Sequence, residues 1–420
     1  MTASDRHKLI IIGCGASGMA AAISASVYEK DILILERNPV AGKKITATGN
    51  GKCNFTNEQV SMQDFRSGSG NAFPIYRHFD NRDVIDFFET LGIPAFNRNG
   101  YYYPYSNQAA SVRDALVNRL EERKIPVVYD CRVRSIEKKS GMFILKCQDA
   151  RYTCERLIIA AGGQAQSCFG TDGSFYYICQ KLGHRIIEPL PALVGLTSDA
   201  PFLKQLAGVR HEATVTLQID KKTSTREYGE IIFNKTGISG IPVMNASAPA
   251  LRARADGHDI RLSLDFFRDI STDRLTNFLC RNFERSRLSL VRCLTGVLND
   301  KLIGVILKEC GISGEYSDRK ADNYKMFEKL ARRMKNFIIP VTGSAGFDNA
   351  QTTSGGIPLY ELDQDSLESK LCPGLYITGE LVDVDGRCGG YNLQWAWTSG
   401  VIAGAYAGGG KFDKTKLIAP

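Results

Sequence analysis

Residues 8–36 read KLIIIGCGASGMAAAISASVYEKDILILE. The run Lys8–Ile12 has the short apolar pattern of a buried strand, and DILILE, residues 31–36, has it again. Between them lie three glycines, Gly13, Gly15 and Gly18, and then a small-residue stretch with helical character. Strand, turn, helix and strand within about 30 residues make a βαβ unit with a parallel strand pair. Each glycine answers a separate physical demand. The first permits the tight turn, the second lets backbone approach a pyrophosphate, and the third lets helix and strand pack closely. The helix start then offers free N–H groups and a positive dipole end. Glu36 closes the second strand eighteen residues after Gly18, where a carboxylate accepts ribose hydroxyls. An acidic residue there argues against a 2′-phosphate. The unit predicts a dinucleotide site.

Residues 41–57, AGKKITATGNGKCNFTN, indicate which dinucleotide. The stretch is too rich in Gly and Asn for a regular helix and alternates too poorly for a strand. An NAD domain continues into further βαβ units. Bare backbone here instead suits an extended cofactor followed past its pyrophosphate to a ring, which favours FAD. A second glycine turn, in GRCGGYNLQWAWTSG, enters another helix whose N–H groups suit the pyrimidine edge of a flavin, where negative charge appears on reduction.

The chain has 420 residues, enough for two or three domains. No run of eighteen apolar residues predicts a membrane span, and MTASDRHK lacks the apolar core of a signal peptide. Twelve scattered cysteines without a CxxC predict reduced thiols, a cytoplasmic location and no metal site. The net charge is +8, and residues 271–339 hold fourteen Lys/Arg against eight Asp/Glu. That surplus reads as a solvated helical surface, with nucleic acid as the alternative partner.

Along the chain, residues 81–91 and 111–124 read as helices. Residues 127–133, 142–147 and 151–154 read as a small antiparallel meander, and 156–161 as a further buried strand. The proline-rich PLPALVGL marks a boundary. Strands follow, then helical periodicity from Ser271, and α/β character returns after Pro340 with GLYITGE and the second glycine turn. The expected organisation is a first cofactor-domain part over 1–189, a β insert over 190–270, a helical insert over 271–340 and a second cofactor-domain part over 341–420.

Long segments of the chain resemble the HI0933-like family of bacterial flavoproteins, FAD-dependent oxidoreductases of the aminoacetone-oxidase type. The segments are GCGASGMAAAI, AGKKITATGNGKCNFTN, NGYYYPYSNQAASVRDAL, LGHRIIEPLPALVGL, GEIIFNKTGISGIP and SGGIPLYELDQDSLESKLCPGLYITGELVDVDGRCGGYNLQWAWTSG. The resemblance implies an α/β fold: a Rossmann-like FAD-binding domain of the glutathione-reductase type, interrupted by an insert with a β-barrel part and a helical part. It implies FAD held by Gly13, Gly15, Ala16, Ser17, Gly18, Glu36, Arg37 and Lys44. Ring-side contacts fall to Thr48, Gly49, Asn50, Gly51, Cys53 and Asn54. Val133 is implied near adenine, and Ala161, Gly162, Gly379, Glu380 and Asp385 are implied along the cofactor. Gly390, Tyr391, Asn392 and Leu393 are implied at the pyrimidine end. Two positions depart from the family pattern: Lys235 replaces a histidine and Phe175 a glycine. The resemblance therefore carries the cofactor further than the substrate.

One branch of that family reduces conjugated double bonds of 3-oxo bile-acid intermediates. The expected function is hydride transfer from NAD(P)H, a transient donor, through FAD to the conjugated C=C of an apolar enone or to a quinone. The alternatives are a flavin-dependent amine oxidase, or a flavoprotein that binds nucleic acid through residues 271–339. An enone also needs a proton, and the NGYYYPY run offers Tyr101, Tyr102 and Tyr103 as catalytic candidates. Cys53, Cys388 and His184 read as packing residues, and Lys235 as either a surface or a pocket cation. The oligomeric state has no signature in the sequence.

Overall fold

A computed structural model describes residues 5–319 and 323–418. Residues 1–4 of the signal-peptide reading, and residues 320–322 and 419–420 of the later segments, lie outside the described residues. The chain divides into two compact units, Met1–Leu190 with Gln351–Pro420, and Pro191–Ala350.

The first unit is built on a seven-stranded sheet. Asp5–Ile12 lies at its centre, parallel to Ile32–Leu35 on one side and to Arg151–Ile159 on the other. Leu9, Ile10, Ile11 and Ile12 are each at most 4% exposed, and Ile32–Leu35 is buried throughout. Full burial of such side chains contributes at most about 1.5–3 kcal/mol each. This explains why both strands read as unbroken apolar runs.

Two details of the sheet differ from the expected meander. Val127–Val128 pairs in parallel with Ile34 and Leu35 and so belongs to the cofactor sheet. The segments 151–154 and 156–161 form one strand, Arg151–Ile159. Its first half pairs antiparallel with Met142–Lys146, and its second half pairs in parallel with Leu375–Ile377. The change of neighbour on one edge falls between Cys154 and Leu157.

Helices Ala16–Ala25 and Tyr391–Ala407 pack on each other through small residues. A Cβ on Gly400 would sit 2.4 Å from Ser17 O, one on Gly404 2.2 Å from Ala21 O, and one on Gly408 2.9 Å from Ala25 O. The four-residue spacing puts each set on one helix face. Ser24 Oγ donates to Val401 O at 2.6 Å, locking the register. The pairing is parallel, but residue 17 opens the first helix while residue 400 lies nine residues into the second. The two helix starts are therefore offset by eight residues, roughly 12 Å along the axis.

The second unit carries a seven-stranded antiparallel sheet. Its long members are Arg210–Ile219 and Lys222–Asn234, with Phe337–Pro340 at one edge and Gly343–Ser344 at the other. Those edges are not paired with each other among the described residues, so no closed barrel is detected there. Gly343–Ser344 pairs with Leu196–Thr197, so this unit extends to residue 350 rather than 340. Thr272–Arg285, Asp300–Cys310 and Tyr324–Lys335 are its helical part.

Candidate active site

The first glycine turn follows directly from the local packing. A Cβ on Gly13 would lie 2.4 Å from Ala160 O, and one on Gly18 would lie 1.9 Å from Gly13 O. Gly15 differs: it caps the helix at φ −88°, and a Cβ there would meet nothing within 4 Å. The protein itself does not require glycine at this position. The open space beside helix N–H groups suits a phosphate.

Glu36 follows the second strand and is buried. Its Oε2 accepts from Cys14 N at 2.7 Å, and its Oε1 accepts from Asn38 N at 2.7 Å and Asn38 Nδ2 at 2.8 Å. A carboxylate has about four acceptor positions. One remains for a ribose hydroxyl, and a second hydroxyl requires the Asn38 amide to swing away. Arg37 and Arg132 both pair with Asp172, at 2.9 and 2.8 Å. Burial alone would raise the Asp172 carboxyl, but hydrogen bonds from Ser174 and Arg37 outweigh it and hold the pKa at about 2. Val133 is buried beside this edge, and Cys131 N donates to Glu36 O at 2.8 Å.

Farther along, Lys44 Nζ reaches Glu380 Oε2 at 2.9 Å and Ala165 O at 3.3 Å. Glu380 Oε1 accepts from Thr353 N and Oγ1 at 3.0 and 2.9 Å. Gly379 lies under the first helix, where a Cβ would sit 2.5 Å from Ser17 Oγ, and Trp395 Nε1 donates to its carbonyl. Ala161 and Gly162 follow the Arg151–Ile159 strand, and a Cβ on Gly162 would meet Thr171 at 2.7 Å.

The 41–57 segment folds as short helical turns over Ile45–Gly51, broken at Thr48, Gly49 and Asn50. Cys53 N donates to Thr48 O at 3.0 Å. Cys53 is wholly buried and its thiol is pushed up to about 12 by burial, so it is a packed thiol. A Cβ on Gly51 would meet nothing within 4 Å. At the second glycine turn, a Cβ on Gly390 would lie 2.7 Å from Thr56 O and 2.9 Å from Asn54 Oδ1. Asn392 closes that turn with both amide atoms on Gly386, at 2.8 and 2.9 Å. Tyr391 donates to Gln59 O at 3.0 Å, Leu393 is half-buried, and Asp385 is buried 3.6 Å from Arg66.

The buried atoms Asn54 Oδ1 and Thr378 Oγ1 have no hydrogen-bond partner among the described residues. A buried unpaired polar atom costs about 1–3 kcal/mol. Together with the open space at Gly15, these atoms show that the residues present fit an extended polar cofactor.

The tyrosines separate by alternation along Tyr101–Pro104. Tyr102 packs against the core. Tyr101 Cε1 lies 2.8 Å from where a Cβ on Gly389 would sit, and Tyr103 Cε1 lies 3.7 Å from the corresponding point on Gly49. Tyr103 is raised by burial first, then by Tyr101, with Cys388 also close enough to act. Tyr101, Tyr103 and Cys388 therefore gather at the two glycine segments, and Tyr102 points elsewhere.

His184 is wholly buried, with Nδ1 2.8 Å from Glu361 Oε2 and Nε2 2.9 Å from Ser369 Oγ, so it ties chain segments together. Lys235 is exposed in a turn, and Phe175 packs against the core. Asn38, Asp172, Thr353 and Thr378 escaped sequence reading. Thr353 and Thr378 each directly precede a segment that did stand out, SGGIPLY and Gly379-Glu380.

Among the described residues no His, Cys, Asp and Glu cluster is placed to hold a metal, and no helix is long and apolar enough to cross a membrane.

The family model of the HI0933-like protein Rossmann domain matches residues 7–406. The chain is 35% identical over 408 residues to a 3-dehydro-bile acid delta(4,6)-reductase of Clostridium scindens, covering 96% of this chain and 99% of that one. It is 28% identical over 399 residues to a ribosomal RNA dihydrouridine synthase of Escherichia coli, covering 94% and 96%. Among solved structures, a 3-ketosteroid-delta4-(5alpha)-dehydrogenase from Rhodococcus jostii aligns over 97% of this chain and 98% of that one, with 14% identity and a TM-score of 0.45. With a family match over nearly its whole length, the chain belongs to the HI0933-like Rossmann family and is a flavin-dependent oxidoreductase.

Proposed function

We propose that the chain saturates a carbon–carbon double bond conjugated to a carbonyl, with an apolar, steroid-like ketone as substrate. FAD, when bound, supplies the two-electron carrier that side chains lack. NAD(P)H is the proposed donor, a transient visitor, because the sequence carries one dinucleotide fingerprint and FAD takes it. The protein holds the phosphates at Gly15 and the helix start, the ribose at Glu36 and the ring end at Asn54 and Gly390. A cytoplasmic setting suits twelve cysteines that are all free.

The observation that carries this reading is the placement of Tyr101 and Tyr103 together at the two glycine segments. Saturating an enone needs a proton as well as a hydride. A phenol is protonated near neutrality and can donate to the α-carbon. The names of the relatives support the reaction class twice. A delta(4,6)-reductase acts on double bonds conjugated to a 3-oxo group, and dihydrouridine is uridine saturated at a bond conjugated to a ring carbonyl. The higher identity and coverage favour the ketone.

The second reading takes uridine in RNA as the acceptor. It is favoured by a cavity of about 620 Å³ in the helical part, lined by Arg274, Asn277, Arg281 and Asn323 among others. Glu284 also lines it, and phosphate contacts from Arg274 and Arg281 would make binding salt-dependent.

The test reduces the enzyme anaerobically with NADH or NADPH, then adds a steroid 4-en-3-one or a uridine-containing RNA. Return of the oxidised flavin spectrum with the ketone, and parallel double-reciprocal lines in steady state, are expected. Reoxidation by RNA and not by any enone would transfer the proposal to the second reading. Failure of both nicotinamides to reduce the flavin would remove them as donor.

A further inference from the structure

Cys131 and Cys147 lie outside the machinery described so far. Their sulfurs are 3.1 Å apart, within hydrogen-bond distance for thiols. Cys131 is 9% exposed and Cys147 is half-buried. The pairing is set by backbone: Arg134 N donates to Lys146 O at 2.7 Å, and Cys147 N donates to Ala150 O at 2.9 Å. Two other groups favour charge on Cys131. The Cys147 thiol and the Tyr152 phenol both hydrogen-bond to it and lower its pKa against burial, while Cys147 is raised by the same contact. Cys14, Cys53, Cys154 and Cys179 are buried and pushed up by that burial, which keeps them as unreactive thiols.

The pair is also coupled to the adenosine end of the cofactor site. Cys131 N donates to Glu36 O, and Asp130 N donates to Asn38 O at 3.3 Å. Asn38 is the residue that fills two acceptor positions of Glu36. A disulfide needs its sulfurs near 2.05 Å, so closing this pair draws them together by ~1 Å. Arg132 and Val133 follow Cys131 directly in the chain.

We propose that Cys131 and Cys147 form a reversible disulfide, oxidised by hydroperoxides, that loosens the hold on the adenosine end of the cofactor. The Cys131 thiolate attacks one oxygen of hydrogen peroxide. The O–O bond breaks, one water leaves after taking up a proton, and a sulfenic acid remains on Cys131. The Cys147 sulfur then attacks that sulfur, the S–O bond breaks, and a second water leaves with the Cys147 proton. Two thiols lose two electrons and two protons, and one peroxide becomes two waters. A small dithiol reverses the change.

The looser-cofactor half of the proposal rests on the FAD reading above, and the disulfide half does not. The experiment treats the flavin-loaded protein with hydrogen peroxide, alkylates the remaining thiols and maps tryptic peptides by mass spectrometry. A peptide joining Cys131 to Cys147, lighter by two hydrogens and released by dithiothreitol, is expected. Cys147→Ser should abolish the joined peptide and let Cys131 pass to sulfinic acid. Exposed Cys168 serves as the reference thiol. Recovery of Cys131 and Cys147 as alkylated thiols under conditions that oxidise Cys168 would overturn the site. In parallel, flavin release is followed by fluorescence. Oxidised wild-type protein should release FAD several-fold faster than oxidised Cys147→Ser. Equal release with the disulfide formed would overturn the coupling alone, whereas wild-type protein that never retains FAD would break the cofactor reading and leave the disulfide result standing.

Discussion

The two glycine turns of the cofactor unit look alike in sequence, and both open small-residue helices, but they use glycine differently. In the first turn, the contacts that forbid a side chain at Gly13 and Gly18 come from Ala160 and from the turn itself, and Gly15 is open. In the second, a Cβ on Gly390 would meet Thr56 O and Asn54 Oδ1, more than three hundred residues away in the chain. The first turn packs on itself and on the end of the neighbouring strand at Ala160, and it leaves open space at Gly15. The second is a close-packed junction between distant segments, so its glycines serve the fold before they serve a cofactor.

That contrast can be broken at Gly18 and Gly15. Gly18→Val should abolish flavin retention and unfold the first unit, because the new side chain must occupy the place of Gly13 O, 1.9 Å away. The measurements are the flavin-to-protein absorbance ratio and circular dichroism. Gly15→Val should instead leave the melting temperature of the apoprotein near wild type while strongly reducing flavin retention. Its backbone is unstrained, and the added carbons enter space that the protein does not use. Wild-type flavin content in Gly15→Val would show that no phosphate approaches this turn.

Legibility follows the same division. The βαβ unit, its glycines and Glu36 were readable because every contact that defines them falls within one short stretch and one neighbouring strand. The ring-side segment was readable only as irregular backbone, since its fold depends on Asn54 and Thr56 meeting the turn before Tyr391. The run Tyr101–Tyr102–Tyr103 hides its own alternation, because all three positions are the same residue. Only pairing with Ala95–Arg98 and contact with Gly49 and Gly389 separates Tyr102 from the others. Asp172 and Thr353 were invisible because nothing beside them in sequence shows the Arg37 or Glu380 that each one meets. Closure of the implied barrel was not legible, because it depends on whether two edge strands meet, which no single strand pattern records.

The tyrosines sharpen the comparison at the proposed ring end. Tyr103→Phe should lower the rate of enone reduction by roughly 10²–10⁴, the usual loss for a positioned general acid, with the flavin spectrum unchanged. Tyr101→Phe has the same expected direction, and Tyr102→Phe should leave turnover near wild type because its ring packs inward. Equal small effects in all three would assign the proton to water. At the ribose end, Glu36→Ala should weaken FAD binding by about 1–3 kcal/mol. It also strands Cys14 N and the Asn38 amide, so Glu36→Gln, which retains an acceptor, should lose less. Titration of apoprotein with FAD measures both.

The smallest expected effect concerns the Asp172 pair with Arg37 and Arg132 at the proposed adenosine edge. The Asp172 carboxyl is 32% exposed, so solvent screening keeps its contribution modest. Its folded pKa of about 2 lies below the usual carboxylate value, ~3.9. A depressed folded pKa means that the unfolded chain binds the proton more readily. The contribution to stability is therefore complete above roughly pH 4 and fades as the pH falls toward 2. Asp172→Asn should melt slightly below wild type at pH 6, and the gap should close on acidification within that window. A gap that persists unchanged at the acid end would mean that Asp172 supports the fold by shape and neutral hydrogen bonds, through Ser174, rather than through its charge on Arg37.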